Sequence, residues 1–190
     1  MRLTAVHSWA DLLPLDDQLD TRAVSAVLTP HPQQGIGVIG SPVNPPPMLP
    51  TAGLLSSLFT ILGGGFPQIV LDLGEWNDLS VAALRMSRVV ILAASTNPTS
   101  AGAAAGLASR LRGLNISADR VRLVVTHTRP NSLISASAIG EATELPVSLE
   151  LPFDPLQAQA LQRGIPLVML AQNAPYTQAI GSWARALVSA

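Results

Sequence analysis

The stretch Val89-Val90-Ile91-Leu92-Ala93-Ala94, VVILAA, is six apolar residues in a row with no polar alternation. A strand with one face in water alternates apolar and polar side chains, whereas an unbroken run reads as a strand buried on both faces, as in a parallel sheet covered by helices. Four more short runs rich in β-branched residues read as strands, at 35–39, 69–73, 121–126 and 147–151. Apolar residues recur at helical spacing at 51–62, 79–87, 99–114, 132–143, 155–163 and 175–188. The rhythm is βαβα. It predicts an α/β fold in which a mostly parallel sheet of about five strands is flanked by helices, with residues 1–190 forming a single domain.

Local punctuation agrees with this segmentation. Asn97-Pro98-Thr99-Ser100 reads as a turn into a helix, Gly113 as that helix's end, and Pro152 as the close of the last strand. Gly63-Gly64-Gly65 precedes a strand run instead of following one and reads as a helix stop and turn. The proline-rich 41–50 is a stiff connector. The helix AGAAAGLASRLRGL is rich in small residues, which predicts tight packing on the sheet, with an oligomer interface as the alternative.

Composition narrows the function classes. Hydrophobic residues make up 48 % and charged residues 12 % of the 190, enough for a substantial core, and a net charge of −1 offers a polyanion no broad attraction, so nucleic acid is not the expected partner. Cysteine is absent, which excludes disulfides and thiolate chemistry and fits a reducing cytoplasm. No apolar run approaches the roughly 18–20 residues of a membrane span, so no integral membrane segment is expected. All eleven basic residues are arginine. A chain without lysine has no side-chain amine to bridge phosphates or form a Schiff base.

In a doubly wound sheet ligands sit beyond the carboxyl ends of the strands, so chemistry is sought just after each run. Asp72, in QIVLDLG, has two readings: an acid for Mg²⁺ at a nucleotide site, or an acid that ends a strand by accepting backbone N–H groups. The phosphate loop GxxxxGK[ST] that would decide for the first does not occur. His127 and Arg129 could contact an anion or move a proton, but nothing close in sequence orients the histidine, which reads as an ordinary loop residue. With three histidines in all, a multi-histidine zinc site is not expected. Counting leaves a Ser-His-Asp arrangement open, and no G-x-S-x-G elbow occurs. A small-ligand α/β domain with a pocket beyond the strand ends is a further reading.

Several stretches in order resemble the ParA/MinD-type P-loop ATPases, above all the pilus-assembly branch called CpaE or TadZ. They are HSWADLLPLDDQLD, LTPHPQQGIGVIGSPVNP, FPQIVLDLGEWNDLSVAALRMSRVVILAAS, TNPTSAGAAAGLASRLRGL, RVRLVVTHT, ELPVSLELPFDP and RGIPLVMLAQNAPYTQAIGSWARAL. The resemblance implies a SIMIBI P-loop NTPase-like fold, in truncated form, because the matching stretches start after the family's P-loop strand. By the same resemblance Asp72 takes the Walker B, metal-side position. Thr126 falls where the family commonly has a base-contacting asparagine, and Pro152 and Asp154 lie on the nucleotide's base side. Without Walker A and its lysine, no residue is assigned as catalytic, and ATP and Mg are expected only if a P-loop is supplied from elsewhere. The implied partners are proteins of a secretion or pilus-assembly machine, with a homo-oligomer left open. The implied location is cytoplasmic, with recruitment to the membrane by partners. Arg2 to Val6, another copy of the chain or a partner is expected to cover the sheet edge left by the missing strand.

Overall fold

The computed structural model describes residues 7–31, 35–44, 46 and 48–189. Arg2 to Val6 lie outside them. The chain divides into two compact units, Arg2–Ser87 and Arg88–Ala190.

The first unit opens with a 3-10 segment, Trp9–Gln18, started by a capping box in which Ser8 and Asp11 bond each other's backbone ends. Helix α1, Thr21–Val27, follows and is capped by Asp20. Then β1, Thr29–Pro30, pairs antiparallel with β2, Gly37–Val38. Helix α2, Ala52–Gly63, starts where Thr51 Oγ1 accepts the Leu54 N–H at 3.0 Å. Leu12, Val27 and Leu54 form the core of this unit, with Leu13, Leu19, Ile39 and Leu58 packed around them. After the Gly64–Gly65 turn, residues 66–77 have no regular structure, until Asn77 and Ser80 form a second capping box at the start of α3, Asp78–Met86.

The strand expected at 69–73 is therefore not formed. Val70 is 88 % exposed, and Ile69 and Leu73 are exposed as well. Strand propensity expresses itself only when a neighbour completes a ladder, and the run has no partner strand among the described residues. The expected strand at 35–39 shrinks to β2 for a related reason: its partner β1 is only two residues long.

The second unit holds the parallel sheet. Strands β3, Val90–Ser95, β4, Val121–Thr126, and β5, Val147–Leu151, lie in the order β3-β4-β5, all parallel, with Val90 beside Val121 and Thr126 beside Leu151. Parallel neighbours need crossovers, supplied by α4, Pro98–Gly113, and α5, Ala136–Thr143. Helix α4 begins with Asn97 as N-cap, its Oδ1 accepting the Ser100 N–H, and Pro98 in its first turn, and it ends with Arg110 and Arg112, whose charge matches the dipole at that end. Its Ala101, Ala104, Ala108 and Leu111 are buried, and it packs on β3 and α5. The small residues thus serve close packing, as their composition predicted. Leu123 and Val125 of β4 and Ile139 of α5 are fully buried between these layers.

One expectation for VVILAA is corrected. β3 buries Val90, Leu92 and Ala94 but exposes Ile91 and Ala93, so only one face is covered. Apolar residues on both faces identified the strand but not the side on which a helix lies. Beyond β5 the chain forms α6, Leu156–Arg163, α7, Leu167–Leu170, and α8, Pro175–Ser189, which packs along β5. Among the described residues no helix is long and apolar enough to cross a membrane.

Candidate functional site

The carboxyl ends of β3, β4 and β5 converge on one polar cluster. The ladder runs one bond past each strand pair: Thr96 N–H donates to Thr126 O at 3.2 Å, and His127 N–H to Leu151 O at 2.9 Å. These bonds fix the first residues after the strands with nearly the precision of the sheet itself. Thr96 is 4 % exposed, and its Oγ1 accepts from Ser132 Oγ at 3.1 Å. Ser132 Oγ also lies 2.5 Å from Nδ1 of His127, whose Nε2 is 2.6 Å from Glu150 Oε1.

A chain of four side chains, Thr96, Ser132, His127 and Glu150, thus joins the three strand ends. His127 is not an ordinary loop residue: both ring nitrogens are engaged, one by a hydroxyl and one by a carboxylate. The position after an apolar strand was the available sequence signal. Ser132 stands five residues on in the same loop, where no periodicity marks it, and Glu150, 23 residues away, becomes a neighbour only through the βαβ crossover.

Beside this chain lies an open hollow of about 580 Å³, lined by His127, Arg129, Pro130, Glu150, Pro152 and Phe153. Its polar groups are a guanidinium, an imidazole and a carboxylate; its walls are two prolines and an aromatic ring. Such a mixture of apolar wall and few convergent polar groups suits a small organic ligand.

Of the residues singled out from the sequence, Thr126, Pro152 and Asp154 come to this end of the sheet, at or just after β4 and β5. Thr126 is half-buried at the end of β4. Asp154 is 7 % exposed, and its Oδ1 accepts the Leu156 N–H at 2.8 Å, so its carboxylate is engaged in starting α6. Asp72 belongs to the other unit, exposed in the irregular 66–77 segment. Among the described residues no group of three or more His, Asp and Glu side chains is placed to hold a metal ion.

The glycine run Gly63 to Gly65 does not have the form of a phosphate loop. In a phosphate loop, backbone amides point free into the anion and a lysine reaches over it. Here Gly64 N–H donates to Ile61 O at 3.2 Å and Gly65 N–H to Leu62 O at 3.0 Å, closing the C-terminus of α2. Helix C-termini present carbonyl oxygens, which repel phosphate.

No family model and no curated protein matches the chain. Among solved structures, it is similar to the ParA family ATPase from Chlorobium tepidum TLS, with a TM-score of 0.76 and 19 % identity over 96 % of this chain and 76 % of that one. It is also similar to a chain of the MinC:MinD cell division protein complex of Aquifex aeolicus, with a TM-score of 0.76 and 14 % identity over 98 % of this chain and 74 % of that one. At these identities the likeness is one of fold, and the chain accordingly has the ParA/MinD-type P-loop NTPase fold.

Proposed function

We propose that this chain is a ParA/MinD-like protein of the CpaE/TadZ kind, which serves pilus assembly or polar positioning through protein contacts and does not hydrolyse ATP. The observation that carries the proposal is the chemistry of the only glycine run, Gly63 to Gly65: it ends a helix, its second and third amides are engaged, and no lysine exists to complete a phosphate site. Phosphoryl transfer depends on positioning and charge neutralisation, and both would have to come from elsewhere. Support for a protein partner comes from the MinD neighbour, which was solved with MinC. The location that follows is the cytoplasm, with recruitment to the membrane through partners.

A second reading is favoured by the hollow at the ends of β4 and β5, which Pro152 lines, since the resemblance implies a nucleotide base on the side of Thr126, Pro152 and Asp154. In it, the chain is the C-terminal part of an ATPase whose P-loop lies elsewhere. Calorimetry with ATP or ADP and Mg²⁺ separates the two. No binding heat is expected; micromolar affinity that disappears in Asp72→Ala would overturn the first reading. The DNA upstream of Met1 offers an independent check, since an in-frame GxxxxGK[ST] there would restore the ATPase.

A further inference from the structure

Ser132, His127 and Glu150 stand in the order nucleophile, base and orienting acid, with contacts of 2.5 and 2.6 Å. Serine activation is recognised by such geometry and not by chain order or fold. We propose that Ser132 is the nucleophile of an acyl-transfer site that takes small carboxylic esters, with His127 as its base and Glu150 as the residue that positions the ring.

The hydrogen-bond inventory supports these roles. Ser132 has one hydroxyl proton and two acceptors in reach, Thr96 Oγ1 at 3.1 Å and His127 Nδ1 at 2.5 Å. Rotation about its Cβ–Oγ bond moves the proton from one to the other. When Nε2 of His127 carries the ring proton, Glu150 accepts it, and the Nδ1 lone pair faces Ser132. Thr96, held by burial and by its backbone bond to Thr126, keeps Ser132 Oγ in place whichever way the proton points. The hollow beside His127 supplies room for substrate. Phe153, Pro130 and Pro152 suit an apolar acyl or alkyl group, and Arg129 offers positive charge for a tetrahedral oxyanion.

The step balances without a cofactor. Ser132 Oγ bonds to the ester carbonyl carbon as its proton passes to His127 Nδ1. The carbon–alkoxy bond then breaks, and His127 returns the proton to the departing alcohol. Water attacks the acyl-serine, giving its proton to His127. The Oγ–acyl bond breaks, Ser132 recovers the proton, and a carboxylic acid leaves. None of this depends on the ATP-independent role proposed above, and failure here leaves that role untouched.

The test is reaction with a small alkyl fluorophosphonate, read by peptide mass spectrometry. Ser135 and Ser137, hydrogen-bonded to each other at 2.9 Å, serve as internal controls. In the unaltered protein Ser132 is expected to label about a hundredfold faster than either control, the scale of assistance a positioned base gives. His127→Gln should slow labelling of Ser132 by a similar factor. Glu150→Gln should slow it by roughly tenfold or more, with the controls unchanged. Hydrolysis of p-nitrophenyl acetate should fall in parallel and vanish in Ser132→Ala. No adduct on Ser132, labelling at the same rate as Ser135, or a rate indifferent to His127→Gln in a variant that folds would each overturn the proposal. The comparison within the unaltered protein decides even if the variants do not fold.

Discussion

The outer strand β3 has one covered and one exposed face, unlike β4, where Val124 on the second face is buried as well, and this asymmetry can be measured. Leu123 sits on the central strand at 0 % exposure, between Leu92 on β3 and Val147 on β5. Truncating a buried leucine to alanine costs about 2–5 kcal/mol, and a site enclosed by strands on both sides collapses poorly, which places Leu123→Ala near ~4 kcal/mol. Ile91, one strand over, is 48 % exposed. Full burial of such a side chain contributes about 1.5–3 kcal/mol, roughly half of it is realised here, and truncation leaves no closed cavity, so Ile91→Ala should cost ~1 kcal/mol. Urea unfolding followed by circular dichroism reads both. With a slope near the upper end of ~1–3 kcal/mol per molar, Leu123→Ala lowers the midpoint by about 1.5 M and Ile91→Ala by about 0.4 M. The contrast of ~3 kcal/mol is the robust quantity, because errors of extrapolation affect both variants alike. Costs within about 1 kcal/mol of each other would refute the reasoning: the Ile91 face would then be buried in solution, against what the fold of one chain shows.

Two further pairs of variants test local claims. Gly106, on the exposed side of α4 with open space where a Cβ would go, should gain about 0.5–1 kcal/mol as alanine, whereas Gly164, at φ +61°, should lose about 1–2 kcal/mol on the same change; thermal melts order the pair. Asp154→Ala should cost about 1–2 kcal/mol by freeing the Leu156 amide, and Asp154→Asn, which keeps an acceptor, should cost clearly less in the same urea assay.

The sequence made some of this plain. β4 and β5 fall on the expected 121–126 and 147–151, and α4 falls within a residue of its expected span, because these elements carry both the right periodicity and local stop signals. Ile69 to Leu73 failed for a reason no window of residues contains: a strand needs a second strand, and composition cannot say whether one is there. The Trp9–Gln18 segment and α1 escaped a reading built on β-branched runs, although Ser8, Asp11 and Asp20 were legible caps. The functional cluster was half visible. Thr96, His127 and Glu150 follow or border strand ends, which marks the region, whereas Ser132 stands six residues beyond β4 with no such mark. The pairing of His127 with Glu150 rather than with its neighbour Arg129 depends on the β4-β5 alignment, which sequence periodicity leaves unspecified.

The alanines of α4 bear on what sequence change this molecule can tolerate. With Ala104 and Ala108 each 2 % exposed against the sheet layer, the helix stands as near as methyl groups allow. A larger residue in that row must push the helix away, at about 1–3 kcal/mol for each overpacked position. Gly102 and Gly106, on the far side, have nothing within reach of an added Cβ. If α4 were randomised and folded survivors sequenced, variation would therefore be confined to one side of the helix, and the silent row would trace the plane of the sheet without any structure being determined.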